Sequence, residues 1–399
     1  METHINNGAR SALLRFHPCP SHTVGLELEL QLLDGQTLDL RDGIVPLMEF
    51  YPDADRVRPE LIQSSVEINS GKCETISELR DNLIVTARGL LDRCKTLGMA
   101  LCGAGTHPFS RRLALITPKP RYLRIERQRG WLSHTQITYA THVHVGMKSA
   151  EQAATAFRRL VPSLPLLTVL SANSPYWRSY DTGHECYRQR LLAVTPNSGI
   201  PPLFANWGEF EARYQAAFRA GVCRSIKDIH WSARFHPDFG TIEIRNPDAQ
   251  PTIAHAVALA GLIQTLAVYV AETPCAGLDS RLMPGLAHWV LRENQFRASQ
   301  FGLDAEFLTT NEGATRPARA ILIEFFDLLR PTAKHLGNGI CLDALEIAAE
   351  QGLPYVNQRR DFLRHNSCRF VTERLVHCLE EDIQRACGQP RRRHEKAEP

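Results

Sequence analysis

Residues 23–34 read TVGLELELQLLD. Leu26, Leu28 and Leu30 alternate with Glu27, Glu29 and Gln31. That period of two belongs to a strand with one buried face, expected over residues 23–33. Residues two apart on a strand point the same way, so Glu27 and Glu29 share a face. Like charges side by side repel, and something should neutralise them. Paired carboxylates suit Mg²⁺ or Mn²⁺. A solvated strand face is the competing explanation for this pair taken alone.

Two other stretches repeat the device. In QITYATHVHVG (136–146), His142 and His144 share one face and Val143 and Val145 the other. H-x-H is a common ligand spacing, although two strand histidines can also be ordinary core or surface residues. In FGTIEIR (239–245), Glu243 and Arg245 form a third same-face pair. The alternative there is a cross-strand ion pair, worth little at a surface. Glu60 and Glu67 flank a polar turn and a short strand, and each taken singly reads as a surface carboxylate. If the three strands join one sheet, its polar face gathers carboxylate, imidazole and guanidinium. A protein interior does not tolerate that set without a metal or an anionic ligand. Carboxylates for a divalent cation and arginine for phosphate are the parts phosphoryl transfer needs. No G-x-x-x-x-G-K-[ST] stretch is present, so the phosphate cradle is not a P-loop.

The remainder of the chain reads as α+β. Thr75-Ile76-Ser77-Glu78 has capping-box form and opens a helix running to Leu97. Met99 to Thr106 reads as a buried strand entering a glycine-containing loop. Residues 151–170 are helical, broken or kinked by Pro162 and Pro165. Residues 177–202 are turn-rich and are expected to be a long functional loop. Residues 230–235 and 241–245 are expected to pair across the turn His236–Gly240. Beyond Pro251 the pattern is helical. Residues 1–21 are a polar lead-in, 22–387 are expected to form one catalytic domain, and 388–399 are a charged tail expected to be disordered.

Of 399 residues, 43% are apolar and 22% charged, as in a soluble globular protein. A formal net charge of +3 without a basic stripe argues against a nucleic-acid partner. The 11 cysteines include no C-x-x-C pair, and the first ten residues lack the apolar region of a signal peptide. Both point to free thiols and a cytoplasmic protein. Residues 252–271 are uncharged and long enough to span a bilayer, but they hold His255 and Gln264. A buried core helix is expected there, with no membrane role.

The residues resemble the carboxylate–amine ligases of the glutamate–cysteine ligase type 2 group. Nine segments match in order: TVGLELELQLLD (23–34), ELIQSSVEI (60–68), GAGTHPF (103–109), RYLRIERQRGWL (121–132), THVHVG (141–146), LSANSPYW (170–177) with DTG (181–183), SIKDIHW (225–231), HPDFGTIEIR (236–245) and ENQFRASQFGLDA (293–305). The resemblance implies a glutamine-synthetase-like fold with a curved, mainly antiparallel sheet and helices packed outside. It implies ADP-forming amide synthesis through an acyl phosphate, with ATP and Mg²⁺ (or Mn²⁺) required. Glutamate and cysteine are the usual pair, and activity on them can be weak. Small amino-acid-like substrates and a homodimer are compatible with it.

By the same resemblance, Glu27, Glu29, Glu60, Glu67, His144 and Glu243 match divalent-metal positions. His142, Arg245 and Arg124 match positions near phosphate or substrate, with Glu243, His142 and Arg245 as the catalytic set. Asn294 and Arg297 fall in a stretch expected near the nucleotide. Two departures bear on specificity: Gln300 stands where the family often has Arg, and Asn197-Ser198-Gly199 replaces the common Arg-Thr-Gly. The rival functions are a guanidino-kinase-like phosphotransferase, a non-catalytic nucleotide- or metabolite-binding protein and a metal-dependent amide hydrolase.

Overall fold

In the computed structural model, residues 14–52, 55–274 and 285–388 are described. The charged tail from 389 onward, and residues 1–13 of the lead-in, lie outside them.

The expected first strand forms as Val24–Asp34 (β1), and three neighbours pair with it. The main sheet adds Val57–Pro59 (β2), Ser65–Asn69 (β3), Met99–Cys102 (β4), Thr141–Gly146 (β5), Ala233–His236 (β6) and Thr241–Ile244 (β7). Its order is β6-β7-β5-β1-β3-β2, with β4 pairing the far half of β1. All the pairings are antiparallel. The three polar-faced strands predicted from sequence are therefore in one sheet, side by side as β7-β5-β1.

Register decides which side chains meet. Glu27 faces His142 on β5 and Asn69 on β3, and Glu29 faces Glu67. His144 faces Glu243, and Glu243 faces Arg234 on β6. Directly opposed residues project from the same side of a sheet. The alternation thus places Leu26, Leu28, Leu30, Val143, Val145, Ile242 and Ile244 on the opposite face, all buried. Each such side chain contributes roughly 1.5–3 kcal/mol when fully buried.

Two helices cover that apolar face. Ile76–Thr96 begins at Thr75, whose hydroxyl accepts the Glu78 amide at 3.2 Å, and buries Leu79, Leu83, Leu90 and Leu91. Ile253–Glu272 packs against β1, β5 and the Ile76–Thr96 helix. It is the one helix among the described residues long and apolar enough to cross a membrane, and 89% of that window is buried within the protein. Its polar residues are bonded inside the fold. Gln264 Nε2 donates to the His22 carbonyl at 2.8 Å, and Asn338 Nδ2 donates to Gln264 Oε1 at 3.0 Å. The expected core helix is found.

The helical stretch 151–170 divides as Ala150–Leu160, a tighter turn at Val161–Ser163 and Leu164–Ser171, as the prolines require. Two expectations need adjustment. Residues 136–140 precede β5 rather than extend it, because Gln136 Nε2 is drawn to the Leu191 carbonyl and Thr195 Oγ1, both at 2.7 Å. His230–Trp231 pairs with Ser198–Gly199 and not with the Thr241–Ile244 strand.

Candidate active site

The polar face of the sheet floors a cavity of about 650 Å³. Glu27, Glu29, Glu60, Glu67, His142, His144, Glu243 and Arg245 all line it. His142 Nδ1 lies 3.4 Å from Glu27 Oε2. His144 Nδ1 bonds Thr241 Oγ1 at 3.0 Å, while its Nε2 faces Glu27 Oε1 at 3.7 Å and Glu243 Oε1 at 4.0 Å. Arg234 clamps Glu243 through Nε at 2.6 Å and Nη2 at 3.1 Å, and Arg245 bonds the same carboxylate.

The charges sort themselves by position. Burial pushes Glu29 up to about 8, reinforced by Glu60. Burial together with Glu27, Glu60 and Glu29 raises Glu67 well above its ordinary value, and Glu60 is raised by burial and Glu27. Burial would also raise Glu27, but the hydrogen bond from His142 and the imidazole of His144 close by outweigh it and hold the carboxyl well below the usual range. For Glu243, Arg234 and Arg245 overcome burial in the same direction. Burial, helped by Arg245, drops His142 to about 4.

Protons thus occupy part of a carboxylate cluster that is too crowded to ionise fully, a place a divalent cation fills well. Two observations fit such an ion. His144 Nε2 is buried without a hydrogen-bond partner. One donor atom from each of Glu27, His142 and Glu243 lies within 4.8 Å of the others, the one such group among the described residues. Carboxylate and imidazole are suitable donors for Mg²⁺ or Mn²⁺.

Opposite the carboxylates stands a cationic wall that strand periodicity could not reveal. The helix Pro120–Arg129 turns Arg121, Ile125 and Arg129 inward, one helical step of four apart, with Tyr122 beside them. Arg129 Nη2 lies 2.5 Å from His230 Nε2. Burial, with Arg129 and Arg245 nearby, drives His230 well below its ordinary value, so the ring accepts as a neutral imidazole. Arg188 and Arg190 come from the 177–202 stretch. Arg188 donates to the carbonyls of Asn246 at 3.1 Å and Arg245 at 3.2 Å, fixing the backbone that carries Arg245. The 177–202 stretch, expected to be one long loop, holds the short helix Arg188–Leu192 and lends Arg188 and Arg190 to the cavity lining.

Three expected site residues are not brought to this cavity. Arg124 lies on another face of the helix that supplies Arg121 and Arg129. Asn294 is consumed structurally: its amide donates to and accepts from the backbone of Leu308, both at 2.8 Å. Arg297 binds Glu293 and the Glu306 carbonyl. Both clamp the Glu306–Leu308 strand, and Gln295 between them is the residue that reaches the cavity. Asn197 also points elsewhere. Its φ of 59° is left-handed, a conformation Asn tolerates, and it lines a small separate pocket with Phe204 and Phe210. Only Ser198 and Gly199 of that loop line the main cavity.

Several matched segments lie outside the cavity lining and are fixed by buried contacts of their own. Asp248 is buried and accepts the Asn173 amide at 2.9 Å, Ser174 Oγ at 2.7 Å and Cys186 Sγ at 3.2 Å. Gly105 lies so close to it that a Cβ would sit 2.4 Å from the Asp248 carboxyl carbon. His107 accepts the Ser110 amide at Nδ1 and meets the Leu38 carbonyl at Nε2, both at 2.9 Å.

Known proteins resemble this chain along most of its length. The model of glutamate–cysteine ligase family 2 matches residues 23–387. A protein of Trichormus variabilis, provisionally named glutamate–cysteine ligase 2, is 41% identical over 370 residues, covering 93% of this chain and 96% of that one. Its counterpart by name in Thermobifida fusca is 34% identical, covering 91% and 92%. Among solved structures, the glutamate–cysteine ligase of Francisella tularensis in complex with AMP superposes with a TM-score of 0.66 at 10% identity, covering 94% of this chain and 90% of that chain. A bifunctional glutathione synthetase from Pasteurella multocida gives 0.60 at 10% identity, covering 92% of this chain but 52% of its own. At that identity these two speak for the fold alone.

Proposed function

The chain belongs to the glutamate–cysteine ligase family 2, and we propose from that membership and the layout of its cavity that it is an ATP-dependent, ADP-forming carboxylate–amine ligase. The observation that carries the reading is the facing arrangement within one cavity: five carboxylates with the strand histidines His142 and His144 on the sheet side, against arginines from helix and loop. Glutamate and cysteine are the first substrates to try.

The roles follow from position. Glu27, Glu243 and either histidine would hold one divalent cation, and Glu29, Glu60 and Glu67 offer donors for more. Bound there, Mg²⁺ would neutralise charge on the nucleotide's phosphates, the chemistry by which ATP turns a carboxylate into an acyl phosphate. Arg245 is held by Glu243 and by the Arg188 bonds to its backbone, and is preorganised to stabilise phosphate oxygens. Arg121 and Arg129 line the cavity without a carboxylate ion pair among the described residues, Arg129 being held only by neutral His230, and both can meet an anionic substrate. The carboxylate that receives the phosphoryl group becomes electrophilic, and the amine displaces phosphate from it.

The relatives' names do not favour a guanidino-kinase-like phosphotransferase or a non-catalytic nucleotide-binding protein. Residues 22–387 as one catalytic unit, a cytoplasmic site of action and a homodimer belong to the same proposal. The test is a screen of amino-acid pairs with Mg²⁺ and ATP that follows ADP release and weighs the products. A ligase gives ADP, phosphate and a new amide together. ADP without amide across the panel overturns the reading.

A further inference from the structure

The rings of His236 and Phe239 stack at the lip of the cavity, centroids 4.1 Å apart and planes 8° from parallel. Phe239 remains 51% exposed. A lone exposed phenylalanine needs no explanation, but this one is rigidly mounted. The His17 amide donates to the Pro237 carbonyl at 2.9 Å, His17 Nδ1 meets the Asp238 carbonyl at 3.1 Å, and Cys19 Sγ meets the Phe239 carbonyl at 3.4 Å. Gly240 closes the turn with φ 63°, and a Cβ there would fall 1.7 Å from the His17 carbonyl oxygen. A second observation points to a ligand. His236 is 3% exposed, and its Nδ1 is buried with no hydrogen-bond partner, an unmet polar atom in the cavity wall.

Position adds direction. Along the β6–β7 pair, His236 and Thr241 lie on the turn side of Arg234 and Glu243, while Arg245 lies on the other side. The cationic wall gathers at the Arg245 end, where Arg188 binds its carbonyl. A ligand with its phosphates between the carboxylates and Arg245 can extend its non-phosphate part along the cavity to the Phe239 end. We propose that His236 and Phe239 form the stacking platform for the base of the nucleotide substrate. The proposal rests on the ligase reading above. A flat π-face suits a purine, and a preset ring loses little freedom on binding.

The test compares two probes on the full chain with Mg²⁺ by calorimetry: ADP, which has a base, and tripolyphosphate, which has none. Phe239→Ala is expected to weaken ADP roughly 10- to 100-fold and leave tripolyphosphate within about twofold, whereas Phe239→Trp retains ADP affinity. Unchanged ADP binding in Phe239→Ala, or equal loss of both probes with an unaltered melting temperature, overturns the platform. An unchanged ADP affinity with a raised KM for the amine would give the rings to the acceptor instead and also overturn it. Binding of neither probe by the unaltered protein would remove the ligase reading itself, a failure distinct from the others.

Discussion

Arg234 grips Glu243 from the strand directly opposite, with Nε and Nη2 meeting one carboxylate oxygen each at 2.6 and 3.1 Å. Both side chains are almost wholly buried. The remaining nitrogen, Nη1, reaches the Ile229 carbonyl at 2.9 Å, so the guanidinium ties the sheet to the loop carrying His230. Removing Arg234 leaves Arg245 as the remaining guanidinium on a buried, undercompensated Glu243. Arg234→Gln is expected to lose stability, up to about 3–5 kcal/mol, and Arg234→Lys to recover only part, because ammonium cannot make the forked contact. Urea denaturation measures both, and a Gln variant as stable as the parent contradicts the account.

Glu27 is the carboxylate nearest both histidines. Glu27→Gln keeps the shape but removes the charge that neutralises the proposed cation. ATP turnover is expected to fall about 100-fold or more, the scale of losing one preorganised electrostatic group. Mg²⁺ dependence should shift to higher concentration. Near-parental turnover in this variant and in Glu243→Gln would sink the metal assignment.

His107 supplies a pH dependence far from the chemistry. Its Nδ1 accepts a backbone amide and its Nε2–H donates to a carbonyl, so the folded ring has no place for a second proton. Burial accordingly drops it from 6.5 to about 4. Between those values the unfolded chain binds a proton that the folded chain refuses. The stabilisation is whole above about pH 6.5, declines as pH falls and is gone below about pH 4, about 3 kcal/mol in all. Stability measured from pH 7 to 4 should fall less steeply in His107→Gln, and an identical slope refutes the assignment.

Gly105 and Gly208 make opposed controls. At Gly105 an added methyl meets the Asp248 carboxyl group, itself fixed by three donors. Gly105→Ala should lose about 1–3 kcal/mol or more. Gly208 lies exposed in the helix Trp207–Arg219, where the nearest atom to an added Cβ is Asn206 Oδ1 at 3.4 Å. Gly208→Ala should gain up to about 1 kcal/mol from helix propensity. Thermal melts of the two variants should move in opposite directions.

The legible part of this site was the part that rides on strands. A period of two states which residues share a face, and that was enough to group Glu27 with Glu29, His142 with His144 and Glu243 with Arg245. It could not give register, and so missed that Glu243 faces Arg234. The cationic wall was less legible because helix and loop bring it from distant sequence. Helical spacing would still have chosen Arg121, Ile125 and Arg129 as one face and set Arg124 apart. Asn294 shows the converse: a family-matched polar residue can be spent on a backbone clamp, and sequence alone does not separate that use from ligand binding.

The central position of β1 has a consequence during synthesis. It emerges from the ribosome early, but its partners end at residues 69, 102 and 146, and β7 joins through β5 only at residue 244. Asp382 then caps the Ala254 amide of the covering helix at 3.0 Å, near the end of the described chain. Until those segments arrive, Leu26, Leu28, Leu30 and Leu32 wait on an unpaired strand. Long-range pairing of this kind is slow and open to association between chains. Soluble yield should therefore respond to growth temperature and chaperone supply more than the finished protein's stability would indicate.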